Sequence, residues 1–266
     1  MIEWWYLLAY AAVGSVTGVM AGLLGVGGGL VIVPTLVWLF ALQGFDAAII
    51  MHVAIGSSLA SIVATSVSSS LAHHRRRAVR WPLVWQLSAG LLLGALSGSW
   101  MAKGMDSIWL QRSFGVFAIV VSAQMFFSVR MQPTRSLPAL AGMNLVGYLI
   151  GLVSGLVGIA GGSMTVPFLT WRSVDMRQAV ATSSACGVPI ALAGAVGFIL
   201  SGWSSKLLPA YSSGFVYWPA VMMIALMSVL SAPFGARLAH SLPVHQLKRV
   251  FAVLLVVIGI KLLNLF

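Results

Sequence analysis

The residues in this sequence best suited to chemistry are glycines and hydroxyls, not acids and bases. Gly25-Val26-Gly27-Gly28-Gly29-Leu30-Val31-Ile32-Val33-Pro34 has an echo 133 residues later, Gly158-Ile159-Ala160-Gly161-Gly162-Ser163-Met164-Thr165-Val166-Pro167. Glycine is costly inside a helix, so each cluster predicts a break in an apolar helix. A break leaves peptide N–H groups without partners, and the missing Cβ lets a ligand approach them closely. The short segment after each break opens near Leu30 and Met164. Its N-terminus carries the positive end of a helix dipole, which suits an anion without any fixed charge.

Hydroxyls follow each break at equivalent places. Ala54-Ile55-Gly56-Ser57-Ser58 aligns with Ala179-Val180-Ala181-Thr182-Ser183, and Ser184 comes next. The candidate substrate-binding set is therefore Gly27, Gly28, Gly29, Leu30, Pro34, Ser57 and Ser58 with Gly161, Gly162, Ser163, Pro167, Thr182, Ser183 and Ser184. The competing reading of the hydroxyls is structural: helix-to-helix bonds, or bonds back to the carbonyl four residues earlier. His52 is a candidate proton relay, or else an interfacial histidine at the end of a span.

Enzyme chemistry finds little to work with. The apolar runs contain essentially no charged residue; Asp46, Asp106 and Asp175 fall between them and Glu3 lies near the start. A membrane aspartyl protease lacks its buried carboxylate pair. There is no HExxH pattern and no Cys/His cluster at metal spacing, so neither a metal nor another cofactor is expected. Cys186 is the one cysteine, which excludes an intrachain disulfide.

The elements that must carry these residues are membrane spans. The chain is 60% hydrophobic and 7% charged, with mean hydropathy +1.01. A soluble domain carries about a quarter charged residues. The net charge of +11 resides in short loops, where it fits anionic lipid headgroups and topology better than nucleic acid. The expected fold is an all-α polytopic membrane protein with about eight transmembrane helices and two short glycine-broken segments, re-entrant or crossing. Glu3, with no Lys or Arg near it, does not predict a cleaved leader.

Beyond the break motif, the 133-residue offset pairs Gly14 with Gly147, Gly18 with Gly151 and Gly22 with Gly155, which reads as an internal duplication. The two membrane repeats are expected over 1–132 and 133–266, joined by a linker from Arg130 to Ser136. Long spans are expected at Met51–Ala72, Trp81–Ala102, Trp109–Val129, Leu137–Val157, Ala179–Leu200, Val216–Leu238 and Leu247–Leu265, after a first one from Trp4. Gly14, Gly18 and Gly22, and again Gly90, Gly94 and Gly98, form small-residue stripes that let helices approach closely, within the chain or in a homodimer.

Arg75, Arg76, Arg77, Arg80, Arg130, Arg135, Arg172, Arg177, Arg237, Lys248 and Arg249 fall on one side of such an arrangement, against Lys103, Arg112, Lys206 and Lys261 on the other. The positive-inside rule puts the first set in the cytoplasm and both termini outside. That requires the second repeat to be inverted relative to the first, as in many transporters. The run from His73 to Arg77 reads as a cytoplasmic anchor.

The doubled glycine motif, the Gly-Ser-Ser and Thr-Ser-Ser motifs, and His73-His74-Arg75-Arg76-Arg77-Ala78-Val79-Arg80-Trp81 resemble the TauE/SafE sulfite exporter family over nearly the whole chain. The resemblance implies a multi-pass permease of the bacterial inner membrane for sulfite, organosulfonates or related sulfur or organic acid anions. In this chain Ala160 stands where the first copy has Gly27, so the two breaks are not equivalent. The expected function is export of a small anion by alternating access. A passive anion channel and a non-transporting membrane scaffold are the alternatives.

Overall fold

A computed structural model describes residues 3–25, 27–127, 138–238 and 244–264. Ten helices are present among the described residues: α1 (Trp4–Leu24), α2 (Gly29–Leu42), α3 (Ile50–His74), α4 (Trp81–Lys103), α5 (Ser107–Phe127), α6 (Leu140–Val157), α7 (Gly162–Trp171), α8 (Met176–Gly202), α9 (Trp218–Leu238) and α10 (Val244–Asn264). A two-stranded hairpin, β1 (Ser212–Ser213) with β2 (Val216–Tyr217), precedes α9. The predicted linker and the boundary between 132 and 133 lie outside the described residues.

Seven helices, α1, α3, α4, α5, α6, α8 and α9, are long and apolar enough to cross a membrane, and α10 adds an apolar stretch at Ala252–Leu263. The chain is a multi-pass membrane protein. The helices end where the sequence has chemical reasons to end them. α1 stops at Gly25, whose N–H donates to Ala21 O from a left-handed cap. α4 opens on Trp81-Pro82, with proline in the first turn where its missing N–H costs nothing. α8 is capped by Asp175, whose carboxylate accepts from the Arg177 and Gln178 amides. At 1.5 Å per residue α7 is about 15 Å long and α2 about 21 Å, so neither alone crosses a hydrocarbon core of about 30 Å.

The long helices pack as reciprocal pairs. A shift of 137 residues brings Trp81-Pro82 onto Trp218-Pro219, and so α4 onto α9. The glycine stripe of α1 lies on α9: a Cβ at Gly14, Gly18 or Gly22 would come within 2.6, 2.6 and 2.1 Å of the carbonyls of Ile224, Ser228 and Ala232. The stripe of α6 lies on α4: at Gly147, Gly151 and Gly155 the distances are 2.6, 2.4 and 2.5 Å to the carbonyls of Leu87, Leu91 and Ala95. Leu87, Leu91 and Ala95 correspond, under the 137-residue shift, to Ile224, Ser228 and Ala232. Each glycine-striped helix therefore lies on the partner that the repeat pattern pairs with it in the other half of the chain.

The second stripe, Gly90, Gly94 and Gly98, is also used inside the chain. A Cβ there would stand 2.0, 2.1 and 2.3 Å from the carbonyls of Asn144, Tyr148 and Leu152 on α6. Backbone meets backbone along this seam, which is how membrane helices gain dispersion contact when lipid offers no hydrophobic drive. α3 and α8 run through the middle, and most of their residues are buried. The hydroxyls and the glycine breaks sit on or beside this central pair.

Candidate functional site

The two breaks meet inside the protein, back to back. Gly27 to Leu30 and Gly158 to Ser163 are all buried. A Cβ on Gly29 would stand 2.5 Å from Gly158 O and 2.9 Å from the Ile159 Cα. A Cβ on Gly27 would stand 2.1 Å from the Cβ of Ala160, its counterpart in the repeat. Gly28 and Gly161 are the N-caps of α2 and α7 and hold left-handed φ values of 77° and 72°. Any other residue there would be strained. The first helical bonds run from Val31 and Ile32 N–H to Gly28 O, and from Met164 and Thr165 N–H to Gly161 O. The amides of Gly29, Leu30, Gly162 and Ser163 therefore have no carbonyl of their own helix to donate to.

Pro34 and Pro167 lie inside α2 and α7. Each removes the N–H that would have bonded the carbonyl four residues earlier, Leu30 and Ser163 respectively. The breaks are thus flanked by both loose donors and loose acceptors.

The aligned hydroxyl pairs form a reciprocal set of staples. Ser58 Oγ donates to Gly158 O at 2.9 Å, and Ser183 Oγ donates to Gly25 O at 3.0 Å. Each serine thus satisfies the cap carbonyl that ends the glycine-striped helix of the other half. Ser57 Oγ accepts from Tyr217 N–H at 2.9 Å, and Thr182 Oγ1 accepts from Arg80 N–H at 3.1 Å. Tyr217 and Arg80 each immediately precede a Trp-Pro helix start. Ser184 Oγ donates to Val180 O at 3.1 Å and accepts from Ser69 Oγ at 3.2 Å. Ser58, Ser183 and Ser184 spend their protons on structure. Ser57 and Thr182 accept, and keep a proton to give.

The two breaks differ in chemistry. At positions related by the 133-residue shift, Ala21, Leu30 and Ile32 of the first face Ser154, Ser163 and Thr165 of the second. All six are buried. Ser154 Oγ, Ser163 Oγ and Thr165 Oγ1 have no hydrogen-bond partner among the described residues. A buried hydroxyl left without a partner costs about 1–3 kcal/mol. Elsewhere in these helices Thr17, Thr35, Thr65 and Thr170 bond back to the carbonyl four residues earlier. Ser154 Oγ lies 3.1 Å from where a Cβ on Gly161 would be, directly beside the N-cap of α7. Sequence reading found Ser163 but not Ser154 or Thr165. The signal was available: setting the two copies side by side places hydroxyls against apolar residues at those positions.

His52 is buried, with its ring against Phe215 at 4.9 Å and its Nε2 3.0 Å from Ala102 O. Nε2 is therefore the protonated nitrogen, and it ties the start of α3 to the end of α4. His73 departs from the exposed run to which the sequence assigns it. It is buried, and its Nε2 donates to Gly22 O at 3.0 Å. Arg75, Arg76, Arg77 and Arg80 are exposed. Outside the spans, burial pushes the Tyr217 phenol above its ordinary value, and its ring packs edge-on against Phe40 and Phe45. Among the described residues no group of three or more His, Cys, Asp or Glu side chains could hold a metal, and no Asp, Glu, Lys or Arg is buried.

The family model described as "Sulfite exporter TauE/SafE" matches residues 10–262. A "Probable membrane transporter protein" of Haemophilus influenzae is 36% identical over 259 residues, covering 97% of this chain and 98% of the relative. A "Probable membrane transporter protein" of Methanocaldococcus jannaschii is 24% identical, with 94% of this chain and 93% of the relative covered. The "Probable membrane transporter protein YunE" of Bacillus subtilis is 25% identical, with 94% of each covered. No solved structure gives a significant match.

Proposed function

The chain belongs to the sulfite exporter TauE/SafE family, and we propose that it is a permease carrying a small anion outward across a bacterial inner membrane by alternating access. Sulfite, organosulfonates and small organic acid anions are the substrate classes. The observation that carries this reading is the pair of buried glycine breaks with loose peptide donors and no buried Asp, Glu, Lys or Arg among the described residues. Broken helices whose N-termini meet at mid-depth are how transporters receive anions.

The repeats are read as inverted, over 1–132 and 133–266, with both termini outside. The concentration of arginine on one set of loops supports the inversion, and the reciprocal packing and staples support two equivalent halves. Inverted halves give alternating access its two equivalent states, because each half can adopt the conformation of the other. α2 and α7, each too short to cross alone, are the segments whose breaks lie along the path of the solute.

An inside-negative potential of 100 mV favours exit of a monoanion by about 2.3 kcal/mol, a gradient of about 50-fold. Export therefore needs no second driving ion, and His52 can remain in its structural bond.

Counterflow in proteoliposomes loaded with sulfite, methanesulfonate or a small carboxylate tests the reading. Saturable, counterflow-capable uptake of one of them is expected. Non-saturating flux without counterflow would make the protein a channel. Absence of flux for the whole panel would leave only a scaffold.

A further inference from the structure

We propose that the donors for the substrate are concentrated at the second break alone, and that the solute is taken there as a monoanion by the N-terminus of α7 with the hydroxyls of Ser154 and Ser163. This rests on the permease reading above and adds which break binds and in what charge state.

α7 runs ten residues from Gly162 and is capped by a glycine in the left-handed conformation. A left-handed cap followed by a helical residue turns successive N–H groups toward one concavity, which favours an anion. α2 has the same left-handed glycine cap, though the residue before it, Gly27, holds a φ of 75° where Ala160 has no positive φ. What separates the two as donors is side-chain chemistry. Beside α2 the corresponding positions are Ala21 and Leu30, which give no hydrogen bond. Beside α7 they are Ser154 and Ser163, both more than nine-tenths buried and both without a hydrogen-bond partner among the described residues. Ser154 Oγ sits against the Gly161 cap, and Ser163 is the second residue of the helix. Thr165 also has no partner among the described residues, but two residues along a helix turn a side chain through about 200°, so it faces another side of α7 and is not part of the site.

The charge state follows from what is missing. No Lys or Arg is buried among the described residues. Peptide dipoles and hydroxyls offer only partial charges, while the cost of removing an ion from water rises with the square of its charge. One short helix N-terminus and two hydroxyls compensate a single charge better than two, so the proposed site favours a singly charged oxyanion head over a doubly charged one. Hydrogen sulfite, a sulfonate or a carboxylate fits better than the sulfite or sulfate dianion.

The test combines a thermal melt in detergent with counterflow, using wild type, Ser154→Ala and Ser163→Ala. Methanesulfonate, sulfite and sulfate are the probes. Methanesulfonate should raise the melting temperature of wild type. Each alanine should leave the ligand-free melt unchanged or higher, because it removes an unpaired buried hydroxyl, and should weaken methanesulfonate binding about tenfold. Sulfite flux should fall as rising pH converts it to the dianion, while methanesulfonate flux stays level; sulfate should be carried more slowly than methanesulfonate. A lowered ligand-free melt in both alanine variants would assign the hydroxyls to structure and overturn the proposal. So would unchanged binding in both variants, sulfate carried as fast as methanesulfonate, or a melt raised by sodium alone; in each of these wild-type flux would leave the permease reading standing. No flux in wild type would remove both.

Discussion

Gly27 and Ala160, equivalent positions of the two breaks, share a single space. A Cβ on Gly27 would stand 2.1 Å from the Cβ already present on Ala160. Gly27 has φ of 75°, whereas Ala160 has no positive φ. One methyl fits between the breaks, and the chain has put it on the side whose backbone tolerates it.

Gly27→Ala should therefore be among the most damaging single-methyl additions in the protein. It adds overpacking of about 1–3 kcal/mol to left-handed strain of about 1–2 kcal/mol. Adding Ala160→Gly should relieve the collision but not the strain. Thermal unfolding of the two single variants and the double variant gives the coupling. Additive effects would mean that the two positions do not touch.

Ser58→Ala and Ser183→Ala should each cost about 1–3 kcal/mol of stability, because each strands a buried cap carbonyl, Gly158 O or Gly25 O. The two losses should be similar, since the staples are reciprocal. Ser163→Ala makes the same chemical change and should cost nothing, since its hydroxyl has no partner among the described residues. Unfolding midpoints that rank Ser163→Ala with the other two would refute the distinction.

The glycine seam should tolerate no side chain. Gly151→Ala would force a Cβ to within 2.4 Å of Leu91 O, and Gly94→Ala one to within 2.1 Å of Tyr148 O. Each should lower stability by about 1–3 kcal/mol and cut the yield of folded protein. Gly104→Ala, whose nearest neighbour would be at 3.7 Å, should behave as wild type. Equal yields for all three would contradict the close approach of α4 and α6.

Topology can be read by thiol labelling in intact cells. Cys186 is buried and should stay silent. Lys206→Cys should react with a membrane-impermeant maleimide from outside, and Arg76→Cys only after the membrane is opened. The opposite pattern would reverse the proposed orientation and the direction of export with it.

The helix list was largely legible in the sequence. The apolar runs predict α3 over Met51–Ala72, where it occupies Ile50–His74, and end α4 at Ala102, where it runs to Lys103. Apolar runs bounded by Gly, Arg or Trp-Pro mark their own ends. The breaks and Ser163 were legible too, through the repeat. Partners were not: the glycine stripes mark a face for close approach but do not say which helix it meets. So the staple role of Ser58 and Ser183, the burial of His73 and the hairpin at Ser212–Tyr217 had to come from the structure. The contrast of Ser154 with Ala21 is written in the repeat, but its place is not: Ser154 precedes the glycine cluster by a turn, and folding brings it beside Gly161.

The most direct measurement is an anomalous difference map from crystals grown with hydrogen selenite, a heavier analogue of hydrogen sulfite. The selenium peak is expected beside the Gly162 and Ser163 amides, within hydrogen-bond reach of Ser154 Oγ. A peak confined to the exposed arginines from Arg75 to Arg80, with none at either glycine break, would contradict anion capture by peptide and hydroxyl groups.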